Sequence, residues 1–563
     1  MQPSPVEPRP LHLFLASIFV FVATMMTFAN AVRADFVNWD DDVYVTENPY
    51  VREPSRENAA RIFTQPYFYS YIPVTLLSHA ADVRIWGMNP KGHHLTNVVL
   101  HSFNAVWFFL ASVLFLALRR NNDAGTSRFM ERVTLPLILG AVIGTMLYAT
   151  HPLRVEPVAW VSGRKDLLCA FFLFPAFGSY LLWREGRGTV WFVATHLLFV
   201  CALLSKPIAA TFPLLLVLVD VFWPGRRLRL LPLARRIVSG KLLLFLFGAT
   251  IAIITFLAAP PGKVNVLGDL NPVQRALFPL YSLVFYLWKT IAPVETSPIY
   301  PDLNRFLLYA APVLLAGTAF LCVVMIKRSL YGVAAALLSY GILLFPTFLG
   351  LSSGMQPLAD RYSYLATAGI FLFLGGSAEW LWQVSTNGSF RRRITLILLV
   401  VLCGISAYRT IRHIAIWNNS IALWSHAVWF APTTREEFND RRPYLKPDYL
   451  DAYLNLGVAH AAAGNTQNAI EQFNTILTLN PTNADAHYNL GTMLYEQGKV
   501  DSARVCFLRA IAGDSTYAKA YFNLGVLYAY TDSSAIADEW FVKAARLGYT
   551  DAQQVLLKKG KSW

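Results

Sequence analysis

From residue 11 to residue 412 the chain returns repeatedly to apolar runs long enough to cross a lipid bilayer, and after residue 440 it stops doing so. A bilayer core requires about 20 apolar residues per helix. Its backbone polar groups must be satisfied within the segment, which restricts isolated runs of this kind to helices. The runs fall at 11–32, 94–118, 133–150, 166–183, 189–204, 207–223, 242–259, 306–326, 331–349, 363–382 and 394–412. Only 15% of the residues are charged, where soluble domains carry about 25%. The expected fold is therefore all-α. A polytopic helical membrane domain of about eleven spans covers 1–412, with a large external loop at 33–93. A linker follows at 413–449, then a repeat solenoid at 450–551 and a tail at 552–563.

The placement of basic residues sets the expected orientation. Arg119, Arg120, Arg128 and Arg132 follow the second run, and Arg184 and Arg187 the fourth. Arg226, Arg227, Arg229, Arg235, Arg236 and Lys241 follow the sixth, while Lys327, Arg328 and the triplet Arg391–Arg393 come later. Loops rich in Lys and Arg stay cytoplasmic. All of these share that side if the N-terminus is cytoplasmic and if 277–292 lies re-entrant or along the outer surface. The first run is read as an uncleaved anchor, because Glu7 offsets Arg9 and no small-residue cleavage site follows. The stretches 33–93, 151–165, 260–305 and 350–362 then gather on the outer, periplasmic or lumenal, side together with the C-terminus. The net charge of +14 is explained by these loops and calls for no nucleic acid. Five scattered cysteines without a CxxC pair argue against a disulfide framework or a zinc site.

The C-terminal region repeats itself. AYLNLG at 452–457, AHYNLG at 486–491 and AYFNLG at 520–525 stand 34 residues apart, and Ala469, Ala503, Ala537 and Phe473, Phe507, Phe541 keep the same period. This is the tetratricopeptide signature. Small residues let paired helices approach, and the Phe fills the space between them. Such arrays commonly bind peptides in a concave groove. A groove including Asn455, Asn489 and Asn523 is the expected acceptor-binding surface; a structural cap is the alternative.

Candidate chemistry lies in the outer loops. Asp40, Asp41 and Asp42 are adjacent, and crowded carboxylates raise at least one pKa, so the cluster is a candidate general base or cation site; a solvated acidic turn is the plain alternative. The second loop, His151-Pro-Leu-Arg-Val-Glu156 through Arg164-Lys165-Asp166, is dense in ionisable groups. Lys206 and Asp360-Arg361-Tyr362 open later spans. Cations kept on the outer side suit an anionic partner such as a lipid phosphate. Internal ion pairing would account for them equally. Asn97, His101 and Asn104 share one helix face and are expected to pack by hydrogen bonds. His93, His94 and His151 lack a fixed metal-ligand spacing. Asp220 is expected at the opposite interface.

Taken in order, FVNWDDDVYVTENP, GMNPKGHHLTNVVLHSFNA, HPLRVEPVAWVSGRKDLL, SKPIAATFPLLLVLVD, ADRYSYL and IWNNSIALWSHAV, followed by the repeats, resemble the transmembrane and tetratricopeptide-repeat protein O-mannosyltransferase family and its bacterial relatives, which are GT-C glycosyltransferases. The resemblance implies an inverting transfer of a sugar, usually mannose, from a polyprenyl phosphate to a Ser or Thr hydroxyl of a protein acceptor. It implies that Asp40 and Asp41 are the catalytic pair, with Asp42 an additional carboxylate. His151, Glu156, Arg164, Lys165, Asp166, Lys206, Asp360, Arg361 and Tyr362 would hold the donor. Ala366 stands where family members often carry Pro. No cofactor is required by this chemistry, although a divalent cation fits the acidic cluster. A non-catalytic membrane scaffold and a lipid-linked-substrate transporter are the rival classes.

Overall fold

A computed structural model of the chain describes residues 10–68, 70–119, 129–222, 230–258, 270–294, 296–300, 304–328, 330–348, 356–384, 389–429, 431–441, 448–531 and 534–563. Arg120, Arg128, Arg226, Arg227, Arg229 and parts of the outer stretches 260–305 and 350–362 lie outside these. Among the described residues the architecture is helical, apart from one isolated bridge between Tyr67 and Ser70. It divides into a unit Met1–Asn419 and a unit Ser420–Trp563.

Among the described residues of the first unit, seven helices are long and apolar enough to cross a bilayer: Pro10–Arg33, Pro90–Arg119, Val161–Arg184, Gly240–Ala258, Phe306–Lys327, Tyr331–Phe348 and Arg393–Trp417. Two more are broken. Leu135–Ala149 bends by 61° into Pro152–Ala159, and Asp360–Ala366 bends by 52° into Ala368–Gln383. The two remaining expected spans are the shorter apolar helices Thr189–Ser205 and Pro207–Val221. The helix Pro272–Ile291, over the stretch expected not to cross, carries Arg275 and Lys289 and falls short of that apolar standard.

The breaks have local causes. Pro152 lacks an amide hydrogen and pushes His151 toward an extended backbone, which the ring of His151 stabilises by accepting from Leu153 N. Arg154 then joins the two broken helices. Its guanidinium donates to Tyr148 O (3.1 Å), Ser363 Oγ (3.1 Å) and Thr367 Oγ1, and it lies 4.4 Å from the Tyr148 ring centre. Below the breaks the same two helices touch through glycines. A Cβ at Gly144 would come within 2.5 Å of Phe371 O, and one at Gly140 within 2.6 Å of Gly375 O. This is the small-residue contact by which helices approach closely in lipid.

The polar stripe of the second span packs as expected. Asn97 Nδ2 donates to Trp160 O (2.8 Å), Asn104 Nδ2 to Leu167 O (2.9 Å), and His101 bonds Tyr364 Oη and Ala149 O. Asp220 gathers Tyr180 Oη (2.8 Å), Arg184 Nε (2.6 Å) and Lys241 Nζ (2.7 Å).

The second unit shows why its sequence repeats. A Cβ on Gly457, Gly491 or Gly525 would meet the ring of Phe473, Phe507 or Phe541 at 2.4, 2.8 and 2.7 Å. The paired alanines 469, 503 and 537 are fully enclosed. Residues assigned to the linker contribute more than a connection: Ser420–Val428 and Arg435–Arg441 are helices, and Ala431, Phe438 and Tyr449 join the apolar cluster around Phe473. At the other end Thr550–Lys558 is a helix rather than a loose tail, and its Leu556 packs with Phe541.

Candidate active site

The segment after the first span folds back on itself at Asp40, whose backbone adopts φ +61°. A side chain other than glycine is strained there, although Asp tolerates it better than most. Asp40 O accepts Tyr44 N at 2.8 Å and closes the turn. The three carboxylates diverge in consequence. Asp41 is fully buried, and its oxygens accept Ser162 N (2.9 Å), Ser162 Oγ (2.6 Å) and Val37 N (3.1 Å). Burial pushes its carboxyl up to about 7 against the pull of those donors. Asp42 turns back to accept Val43 N, and burial raises it too. Asp40 and Asp42 both keep partly open side chains, and Asp40, 24% exposed, is the one that faces Lys165. Asp41, one of the two expected bases, has no unoccupied oxygen to present; it fastens the acidic loop to Ser162.

Facing Asp40, cations and aromatic rings alternate. Lys165 Nζ is 3.9 Å from Asp40 Oδ2, 4.8 Å from the Tyr44 ring centre and 5.0 Å from that of Trp160. Arg361 Cζ is 5.3 Å from the Trp160 ring and 5.0 Å from the Tyr362 ring. Lys206 Nζ follows, 5.8 Å from Tyr362. Ring faces attract cations at these distances. The carboxylates differ in what they leave free. Lys206 is paired with Asp166 at 2.6 Å, and Arg361 binds Glu156 through both its guanidinium and its backbone N–H. Among the described residues Lys165 makes no hydrogen bond, so its three donors are unspent. Asp360 accepts Tyr300 Oη at 2.7 Å, and Tyr362 Oη donates to Gln356 O at 3.0 Å. These bonds seat the start of the second broken helix.

Two expected donor ligands are engaged elsewhere. The guanidinium of Arg164 is buried and bonded to Asn97 Oδ1, Ser78 Oγ (2.9 Å), Asp82 Oδ2 (2.6 Å) and His93 O (2.8 Å). It ties three helices together and offers no nitrogen to a phosphate. His151 bonds Thr290 O and Leu153 N through its two nitrogens and has none to spare. No group of three His, Cys, Asp or Glu with metal-ligand geometry occurs among the described residues. Sequence reasoning passed over Trp39, Ser162, Tyr300 and Trp417, because each acts through residues distant in the chain. On the repeats, Asn455, Asn489 and Asn523 occupy one position on successive first helices and are half-buried; Asn523 Nδ2 reaches Tyr488 Oη at 3.3 Å.

An apolar cavity of about 810 Å³ runs beside the cluster. Phe212 and Leu365 line it within two turns of Lys206 and Tyr362, and Arg119, Tyr331 and Trp380 line its far part. Beyond the bend, from Ala368 to Leu381, its wall follows one helix for about 20 Å.

Fold and site together define a polytopic helical membrane protein with a buried carboxylate–cation cluster and a tetratricopeptide array. A family model described as tetratricopeptide repeat matches residues 438–484 and 454–518. Over 471 residues, 73% of this chain and 48% of the relative, the sequence is 22% identical to human protein O-mannosyl-transferase TMTC3. It is 26% identical to Drosophila melanogaster protein O-mannosyl-transferase Tmtc1 over 64% of this chain and 51% of that one. With human protein O-mannosyl-transferase TMTC4 it shares 29% identity over 36% of this chain and 28% of that one. The chain thus matches about half the length of these relatives or less. The relatives that it matches along its length are named as protein O-mannosyl-transferases, and to these it is similar.

Proposed function

We propose that this chain is a membrane glycosyltransferase of the GT-C type. It would move a sugar, mannose by analogy with its relatives, from a polyprenyl-phosphate donor to a Ser or Thr hydroxyl of a protein, with inversion. The single observation that carries this reading is the open Asp40 carboxylate 3.9 Å from the unspent ammonium of Lys165, at the head of the row of cations. The acceptor oxygen attacks the anomeric carbon and its proton passes to Asp40. The carbon–oxygen bond to phosphate breaks, and the electron pair leaves with the phosphate, whose charge falls from −1 to −2. Lys165, with Arg361 beside it, stabilises that added charge. The phosphate is already a good leaving group, so no separate acid is needed. The apolar cavity supplies room for the polyprenyl chain. The groove that includes Asn455, Asn489 and Asn523 is the proposed acceptor surface, on the same outer side as the site.

Purified chain in nanodiscs, given polyprenyl-phosphate mannose and Ser/Thr peptides, should yield glycosylated peptide by mass spectrometry. Asp40→Asn should cut turnover by about 10²- to 10⁴-fold, the usual contribution of a general base, with donor binding kept. Lys165→Gln should weaken donor binding. Full turnover in Asp40→Asn refutes the assignment of the base. Donor transport without transfer would favour a lipid-substrate transporter.

A further inference from the structure

The motif IWNNSIALWSHAV has no role in the chemistry above, yet its Trp417 reaches the acidic loop. The last span ends at Ile414 and turns through Ala415–Trp417. Trp417 is 2% exposed. Its ring centre lies 6.0 Å from that of Trp39 with the planes 18° apart, and 6.1 Å from that of Trp160. Trp160 Nε1 donates to Trp39 O at 2.7 Å. One residue beyond Trp417, Asn418 O accepts Asp35 N at 2.8 Å. The span is itself fixed, since Ser406 and Thr410 both donate to Thr150 O at the first break.

We propose that Trp417 is a positioning residue for Asp40. The inference rests on the reading of Asp40 as the base. Asp40 sits between two anchored neighbours. On one side Asp41 is bonded to Ser162 and Val37. On the other Trp39 is held at its carbonyl by Trp160 and across its ring by Trp417. A left-handed backbone at a non-glycine residue persists only where its surroundings over-determine it. The Trp417 ring is one of those determinants, and it comes from the opposite end of the membrane unit's sequence. Lys165 touches the anchor only through the Trp160 ring, and its backbone is set by the helix Arg164–Arg184, so removal of the Trp417 ring should displace the base more than the phosphate site. Displacements near 1 Å cost on the order of 10²-fold in rate.

The test compares the full chain with Trp417→Ala, Trp417→Phe, Asp40→Asn and the Trp417→Ala/Asp40→Asn pair, using polyprenyl-phosphate mannose and a Ser/Thr peptide. A positioning role predicts a kcat loss of about 10- to 100-fold in Trp417→Ala, a donor KM within about threefold of wild type, and substantial recovery in Trp417→Phe. It also predicts no further loss when Trp417→Ala is added to Asp40→Asn, since two changes acting on one group are not additive. If Trp417→Ala does not fold, Trp417→Leu keeps bulk without a stacking plane and enters the same cycle. Unchanged kcat in the Trp417 variant, beside a crippled Asp40→Asn, overturns this inference alone. An equal loss in both backgrounds also overturns it, because the ring would then serve the fold at large. Full activity in Asp40→Asn removes the base assignment and this inference together.

Discussion

In the repeat unit a glycine faces a phenylalanine three times over, and the surface ion pairs are incidental: Arg504–Asp501 has side chains 40% and 89% exposed. In the membrane unit the corresponding work is done by charge. Arg361–Glu156, Lys206–Asp166 and Arg164–Asp82 are buried pairs with side chains no more than 5% exposed. The difference follows from the solvent. Water drives the repeats together through apolar burial, so size and shape decide their contacts. Between helices already in lipid that driving force is absent. Glycine contacts such as Gly140 with Gly375 bring backbones together, and enclosed polar groups fix the geometry of the breaks. Exposed pairs contribute about 0–1 kcal/mol. An enclosed charge that loses its partner costs about 3–5 kcal/mol.

The largest effect should come from breaking one enclosed pair. Glu156→Gln keeps the shape of the side chain but leaves the Arg361 guanidinium without its counter-charge. We expect a loss of about 3–5 kcal/mol, read as a fall in the detergent-solubilised melting temperature, and loss of donor binding. Glu156→Leu combined with Arg361→Met should recover much of the stability, since an apolar pair avoids the unpaired charge, and should recover none of the transfer. Recovery of both would mean that Arg361 is structural only.

The two units were unequally legible in sequence. The 34-residue period exposes the repeat unit because each contact joins positions at a fixed spacing, Gly491 with Phe507 like Gly457 with Phe473. The spans were legible from hydropathy, and the bends were not, although Pro152 marks the first. The carboxylate–cation cluster could be listed from ionisable residues but not sorted. Nothing local distinguishes Arg164, whose nitrogens are taken by Ser78, Asn97, Asp82 and His93, from its neighbour Lys165, which makes no hydrogen bond among the described residues and faces Asp40 at 3.9 Å. The adjacent Asp40 and Asp41 part at the left-handed turn of Asp40, and Ser162, some 120 residues on, closes over one of them. Trp417 was visible within a motif and silent about its purpose, since its partners Trp39 and Trp160 come from two distant loops.

A pH measurement sharpens the account of charge. Asp41 titrates near 7 in the folded chain and at 3.8 when free, so the folded state holds the proton more tightly. Its contribution is therefore fully present below pH 3.8, declines as pH rises, and is lost above about 7. The full span corresponds to about 4 kcal/mol, at 1.36 kcal/mol per pH unit. Amide exchange over residues 35–45, corrected for intrinsic rates, should be slower at pH 5.5 than at pH 8. In Asp41→Asn that dependence should vanish, and the loop should be looser throughout, because an amide cannot accept from Ser162 and Val37 together without turning its own donors on one of them. Protection that rises with pH in the wild type would reverse the sign and remove Asp41 as the source.

The smallest change tests whether the repeat unit behaves as locally as its chemistry suggests. A Cβ on Gly491 already meets Phe507 at 2.8 Å and Cys506 Cβ at 3.2 Å, and Phe507 is enclosed by Leu524 and Leu527 of the next repeat. Gly491→Val adds two further methyl groups at that contact, so the helix pair Ala484–Glu496 and Val500–Gly513 must separate. Overpacking of this kind costs about 1–3 kcal/mol, partly offset by the better helix propensity of Val over Gly. In a repeat array each unit touches only its neighbours, so the loosening should be confined. Hydrogen exchange in the full chain should quicken over 484–513 and, less, over the facing parts of 466–479 and 518–530. The membrane helix Pro90–Arg119 should keep its protection. Asn489→Ala, on a half-buried position of the same helix, is the control and should leave exchange nearly unchanged while lowering peptide affinity if the groove binds acceptors. Equal quickening in Pro90–Arg119 would show that the two units stabilise one another, and the contrast between a unit held by shape and a unit held by charge would then describe two ends of one cooperative fold.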